Sequence, residues 1–161
     1  GCTIIPLNAT WTNSTGILHD FFSYLDFQPA KMLQVSDSDY YVVGMVDYMG
    51  WIGHLHVYYG QYFQINWVSA MNYPRDLNFQ DIHRLTDGSF LIVGTSPATT
   101  ITDSSQIIVV HADSVMNPLH SVVFSDNYTV ESFEQMKTMV VNDSGLIFAG
   151  VSTARFGAPL Q

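Results

Sequence analysis

The stretch Leu85–Gly94, L-T-D-G-S-F-L-I-V-G, occurs three times in this chain in related form. The other copies are Val35–Gly44, V-S-D-S-D-Y-Y-V-V-G, and Val141–Gly150, V-N-D-S-G-L-I-F-A-G. Each opens on an apolar residue, places an Asp two positions on (Asp37, Asp87 or Asp143) and a Gly nine positions on (Gly44, Gly94 or Gly150). Between them lie a polar turn and a short apolar run. The pattern predicts a hairpin corner: one strand ends, Asp with Gly or Ser reverses the chain, and a buried strand begins. The Asp shapes the turn by side-chain hydrogen bonds. The closing Gly reads as a strand position that another backbone approaches closely. The copies start 50 and 56 residues apart, a period in the range of propeller blades.

Working outward, the strands before each corner also correspond. F-Q-P-A-K-M-L-Q-V-S-D from Phe27 has the length of F-E-Q-M-K-T-M-V-V-N-D from Phe133. F-Q-D-I-H-R-L-T-D from Phe79 is two residues shorter, which leaves every side chain on its face. Further strands are expected at Thr3–Leu7, Ile17–Phe27, Trp51–Tyr59, Tyr62–Met71, Gln106–Ala112 and Leu119–Ser125, with a polar loop over Asn8–Gly16. The runs Leu91–Val93 and Ile107–Val110 are continuously apolar, as in strands covered on both faces. Glu131–Val140 is the nearest approach to a helix, and the repeat overrules it. The expected fold is all-β: four-stranded antiparallel blades, β-propeller-like, about three in number. Residues 1–161 form one domain: a half-blade at 1–26 (strands three and four), blades at 27–78 and 79–132, and a half-blade at 133–161 (strands one and two).

Asp87-Gly88-Ser89-Phe90-Leu91-Ile92-Val93-Gly94 resembles the D-G-G-Y-I-V-A-G signature of β-propeller repeats of about 50 residues in secreted and surface proteins of bacteria. That family continues with a V-I-K-L-D strand, which Ile108–Asp113 resembles, and a G-x-x-x-W strand, whose end Ile65-Asn66-Trp67 resembles. The resemblance implies a secreted or surface-located repeat protein.

Composition narrows the function. The formal charge is −9, with five Lys and Arg in 161 residues. So few cations cannot neutralise many phosphates, which argues against nucleic acid, and acidity argues against an anionic membrane surface. No apolar run reaches membrane-span length. The chain opens Gly1-Cys2-Thr3 without an initiator Met, so a processed product, a fragment or a segment of a longer chain is expected. Cys2 is the single cysteine. An internal disulfide and a cysteine-based metal site are thereby excluded. A buried thiol, the commoner state, or a bond to another chain remains.

Four N-x-S/T sequons, at Asn8, Asn13, Asn127 and Asn142, exceed the one or so that eight Asn and 27 Ser plus Thr give by chance. All fall in expected loops or turns, where a glycan fits but where Asn, Ser and Thr also collect anyway. Among His19, His54, His56, His83, His111 and His120, only His54 and His56 alternate on one strand face as metal ligands can. No third ligand stands at a recognisable spacing, so half-exposed strand histidines are the simpler reading. Asp37 and Asp39 lack the further oxygens of a calcium loop. The expectation is therefore no metal and no cofactor. No nucleophile elbow, phosphate loop or zinc-protease motif is present, so no catalytic residue is assigned. Carboxylates such as Asp81 and Glu131 cannot be paired from sequence. Tyr40, Tyr41, Tyr58, Tyr59, Tyr62 and Phe63 crowd the first blade, as core or as an interface. Cys2, Tyr40, Tyr58, Tyr59 and Tyr62 are the interface candidates.

About three blades fall short of the four or more that closed propellers use. The ends are expected to be completed by another copy, head to tail, by each other within one chain, or by further blades of a longer chain. The first functional expectation is a non-enzymatic extracellular structural module, a glycoprotein subunit of a filament, fibre or surface layer built by self-association. The second is a carbohydrate- or protein-binding propeller module. The third is a fragment of a propeller glycoside hydrolase.

Overall fold

A computed structural model describes residues 2–6, 10–17, 27–58, 62–71, 76–96, 106–126, 131–141 and 145–154. Side chains are described for 28–57, 76–96, 106–124, 137–141, 145–147 and 149. The described residues are all-β and form antiparallel sheets without a helix. Strands follow in the order β1 (Cys2–Pro6), β2 (Thr10–Ile17), β3 (Phe27–Gln34), β4 (Asp39–Val46), β5 (Met49–Tyr58) and β6 (Tyr62–Met71). Then come β7 (Asn78–Arg84), β8 (Phe90–Ser96), β9 (Gln106–Ala112), β10 (Pro118–Asp126), β11 (Glu131–Val141) and β12 (Gly145–Ala154). Glu131–Val140, the nearest candidate helix, is thus strand.

Each repeat contributes a meander. The first sheet has the order β2-β6-β5-β4-β3, the second β1-β10-β9-β8-β7, and the third β11-β12. No closed propeller is formed by the described residues.

The N-terminal segment departs from expectation twice. A strand, β2, occupies Thr10–Ile17, where a loop was expected, and Ile17 ends it. Moreover, β1 and β2 do not pair into one half-blade. β1 lies on β10, with Ile4 opposite Phe124, and β2 lies on β6, with Ser14 opposite Trp67. The physical reason is edge satisfaction. The fourth strand of a meander has one unpaired row of amides and carbonyls, and each of these short strands covers one such row.

The repeated glycines face a repeated irregularity. β3 is bulged between Pro29 and Lys31, and β7 between Phe79 and Asp81. Gly44 stands opposite Pro29, and Gly94 opposite Phe79, at the same place in each copy. The bulge drives a carbonyl over the glycine: a Cβ on Gly44 would lie 2.1 Å from Gln28 O, and one on Gly94 2.6 Å from Asn78 O. Those distances leave no room for a side chain. In the third copy β11 is bulged between Phe133 and Gln135, two residues nearer the start of the strand, and Gly150 pairs with Met136.

The sheets stack through equivalent positions. Tyr41, Val43 and Ile52 of the first sheet share a core with Phe79, Ile82, Phe90, Ile92, Ile108 and Val110 of the second. The other face of the second sheet, with Val93 and Val109 and with Leu91 and Ile107 packed on them, meets Leu146 of β12. Val93 occupies in its copy the place of Val43, and Leu146 the place of Phe90. Each sheet therefore offers the same face to the next one. This explains why β8 and β9 carry unbroken apolar runs: both of their faces are covered.

Candidate functional site

Two polar clusters arise where strand alternation brings ionisable side chains to one face. The first lies at the rim of the interface between the first two sheets. Val43 is opposite Ile52, Tyr41 opposite His54, and Asp39 opposite His56. With a period of two, these three pairs line one face. The face therefore runs from apolar core at Val43 to polar rim at Asp39. Asp39 Oδ1 accepts hydrogen bonds from His54 Nε2 at 2.8 Å and His56 Nδ1 at 2.7 Å. Its Oδ2 accepts from Ser36 Oγ at 2.6 Å and Ser38 Oγ at 3.2 Å. Ser36 Oγ in turn accepts from the amides of Ser38 and Asp39, which fixes the corner. Tyr41 is buried and lies under the His54 ring, with centroids 4.8 Å apart. The hydrogen bond from His56, then that from Ser36, holds the Asp39 carboxyl well below the usual carboxylate range. Partial burial works against them, and His54 adds to the lowering. The ligand atoms of Asp39, His54 and His56 all lie within 4.8 Å of one another.

The second repeat builds this corner differently. Leu91 is opposite His111, as Tyr41 is opposite His54. Ser89 takes the place of Asp39, so His111 Nε2 meets Ser89 Oγ at 3.0 Å, and Ser89 Oγ donates to Asp87 Oδ1 at 2.5 Å. The Ser89 amide donates to the same oxygen at 2.9 Å. His111 stacks on His120, with centroids 6.3 Å apart. Asp113, in the place of His56, turns into its own loop. It accepts from the amides of Val115 and Asn117 at 3.0 and 2.8 Å, and from Asn117 Nδ2 at 2.9 Å.

The second cluster joins the first strands of all three repeats. Asp81 of β7 is buried, yet its carboxylate is well supplied with donors. Oδ1 accepts from the Ile82 amide at 3.0 Å and lies 3.7 Å from Lys31 Nζ of β3. Oδ2 accepts from Thr138 of β11, the amide at 3.2 Å and Oγ1 at 3.0 Å. His83 Nε2 lies 2.6 Å from Thr138 Oγ1 and 3.6 Å from Asp81 Oδ2. A cavity of about 630 Å³ opens beside this network, lined by Lys31, His83, Arg84 and Thr138 among others.

Of the turn aspartates, Asp87 makes the Ser89 bonds, whereas Ser36 and Asp39 bond the first corner around an exposed Asp37. Asp143 lies outside the described residues, as do Asn8, Asn127, Asn142, His19 and Tyr59. Asn13 is on strand β2, opposite Val68, not in the loop expected for a sequon. Cys2 is on β1 opposite Asp126, and Tyr58 pairs with Tyr62 at the end of the β5–β6 hairpin. The side chains of Cys2, Tyr58, Tyr62 and Glu131 lie outside those described. Tyr40 is half-buried, and Tyr41 belongs to the core. The third group beside His54 and His56, for which no spacing along their strand is recognisable, is Asp39. Its signal was the alternation of β4 against β5, which needs the strand register and cannot be read from spacing along one strand. No protein-family model, curated protein or solved structure matches the chain.

The Asp113 turn has a pH consequence. Hydrogen bonds from the Asn117 side chain, and then from the Asn117 amide, lower the Asp113 carboxyl below its ordinary 3.8. A carboxyl that is more acidic in the folded chain adds stability above its unfolded value and loses it as pH falls through the folded value. The stability gap between the parent and Asp113→Asn is therefore expected to be full near pH 6 and to narrow below pH about 4. Urea midpoints measured across that range check this; a gap independent of pH would contradict it.

Proposed function

We propose that this chain is a non-enzymatic structural module of the cell exterior, a run of blade-like β-repeats that builds a filament, fibre or surface layer by self-association. The observation that carries this reading is the outward face of the third sheet. Ile147 stands where Tyr41 and Leu91 stand in the earlier copies, and Met139 where Leu33 stands. In the earlier sheets those positions pack against the neighbouring sheet. Ile147 and Met139 are instead 51% and 55% exposed. A face that the repeat buries twice and leaves open once favours another copy of the chain as its cover. That contact is head-to-tail, the kind that propagates.

The sequons at Asn8, Asn13, Asn127 and Asn142 agree with a secretory route and with a glycoprotein subunit. A second reading, a binding module, draws support from the cavity beside Asp81, where Lys31 and Arg84 offer charge to an anionic group.

Light scattering coupled to size exclusion, with negative-stain microscopy, tests the first reading. Ordered oligomers are expected, and Ile147→Asp is expected to disperse them into 18 kDa monomers. A parent chain that stays monomeric as concentration rises would contradict it.

A further inference from the structure

We infer that Asp39, His54 and His56 form a binding site for one divalent cation of the zinc class, with Asp39 Oδ1, His54 Nε2 and His56 Nδ1 as ligands. Three observations converge on it. The donor set is two imidazoles and one carboxylate, which suits zinc and its transition-metal neighbours and disfavours calcium and magnesium. The two ring nitrogens already converge on a single carboxylate oxygen, at 2.8 and 2.7 Å. Ligand atoms around a tetrahedral zinc stand about 3.3 Å apart, as bonds of about 2.0 Å require. The two His–Asp39 pairs thus have to open by about half an ångström, and the two ring nitrogens, within 4.8 Å of each other, to close toward the same spacing.

The supporting shell is also present. Ser36 and Ser38 hold the second oxygen of Asp39, and Tyr41 packs against the His54 ring. Such partners fix ligand orientation and raise affinity. The side chains of Asp39, His54 and His56 are 26%, 29% and 34% exposed, so an ion can enter and a water can fill a fourth position. Without metal, each ring donates a hydrogen bond to Asp39 through the proton on its facing nitrogen. With metal, that proton moves through solvent to the remote nitrogen of the same neutral ring, and the facing nitrogen gives its lone pair to the ion.

The second repeat supplies an internal comparison. It keeps one imidazole, His111, but has Ser89 and Asp113 where the first has Asp39 and His56. Asp113 is committed to its own turn. The three-ligand arrangement therefore belongs to the first repeat alone among the two whose corners are described.

The test is calorimetric titration of the full chain, freed of metal by chelator, with zinc chloride. One ion per chain is expected, with no comparable binding of calcium or magnesium chloride. Asp39→Asn, His54→Gln and His56→Gln are each expected to weaken zinc at least tenfold, while His111→Gln leaves the affinity unchanged. Circular dichroism confirms that each variant is folded. Should one variant not fold, nitrogen-15 NMR of the parent reads the same claim. Zinc is expected to shift the ring nitrogens of His54 and His56 and to leave those of His111 in place. Absence of stoichiometric zinc binding overturns the assignment. So does undiminished affinity in Asp39→Asn or either His variant, or a zinc shift confined to other histidines.

Discussion

Phe79→Ala is expected to destabilise the chain by about 3–5 kcal/mol, the range for deleting a fully buried aromatic ring. Phe79 is completely buried, and its ring rests on two glycines from different sheets. A Cβ on Gly50 of β5 would meet Phe79 Cε2 at 2.7 Å, and a Cβ on Gly94 of β8 would meet Cδ1 at 2.8 Å. The ring therefore occupies space that both backbones leave open by lacking a side chain. Removing it leaves a cavity bounded by strands, which have little freedom to collapse. Against a typical stability of about 5–15 kcal/mol, the loss brings the variant close to unfolding at room temperature. Equilibrium urea denaturation measures it. A loss under about 1 kcal/mol would mean that the first two sheets do not share this core.

Asp81→Ala is expected to cost about 2–4 kcal/mol. Burying a carboxylate is unfavourable in itself, and here three donors and a nearby cation offset that cost. Truncation does not return the cost, because the Ile82 and Thr138 amides then lose their acceptor inside the protein. Lys31 contributes little to this sum, since its side chain is 45% exposed and 3.7 Å away. Asp81→Asn keeps an acceptor at one oxygen and is expected to cost less than Asp81→Ala. Equal costs for the two would show that the Thr138 bonds are not formed.

The sequence carried the all-β class because three unrelated signals coincided at each corner: apolar entry, Asp and closing Gly. It also located the apolar runs of β8 and β9, since covering on both faces removes any need for alternation. It could not show what Gly44 and Gly94 oppose. A bulge adds one residue to a partner strand without any change of residue type to mark it. The second strand, β2, escaped for a related reason. T-W-T-N-S-T-G-I has the composition of a loop, and an edge strand that only covers another strand needs no apolar alternation. The Asp39 cluster escaped because its members come from two strands, and only their register sets Asp39 across from His56. Asp81 was visible as a carboxylate in a strand, but its partners Thr138 and Lys31 come from other repeats.

The account depends most on consecutive repeats stacking so that the first strand of one lies against the first strand of the next. A double-mutant cycle between Asp81 and Thr138, using Asp81→Ala and Thr138→Val, measures that contact. The residues are 57 apart in sequence and touch only across the boundary between the second and third sheets. A coupling of about 1–2 kcal/mol is predicted. Additive effects, within about 0.5 kcal/mol, would contradict the stacking.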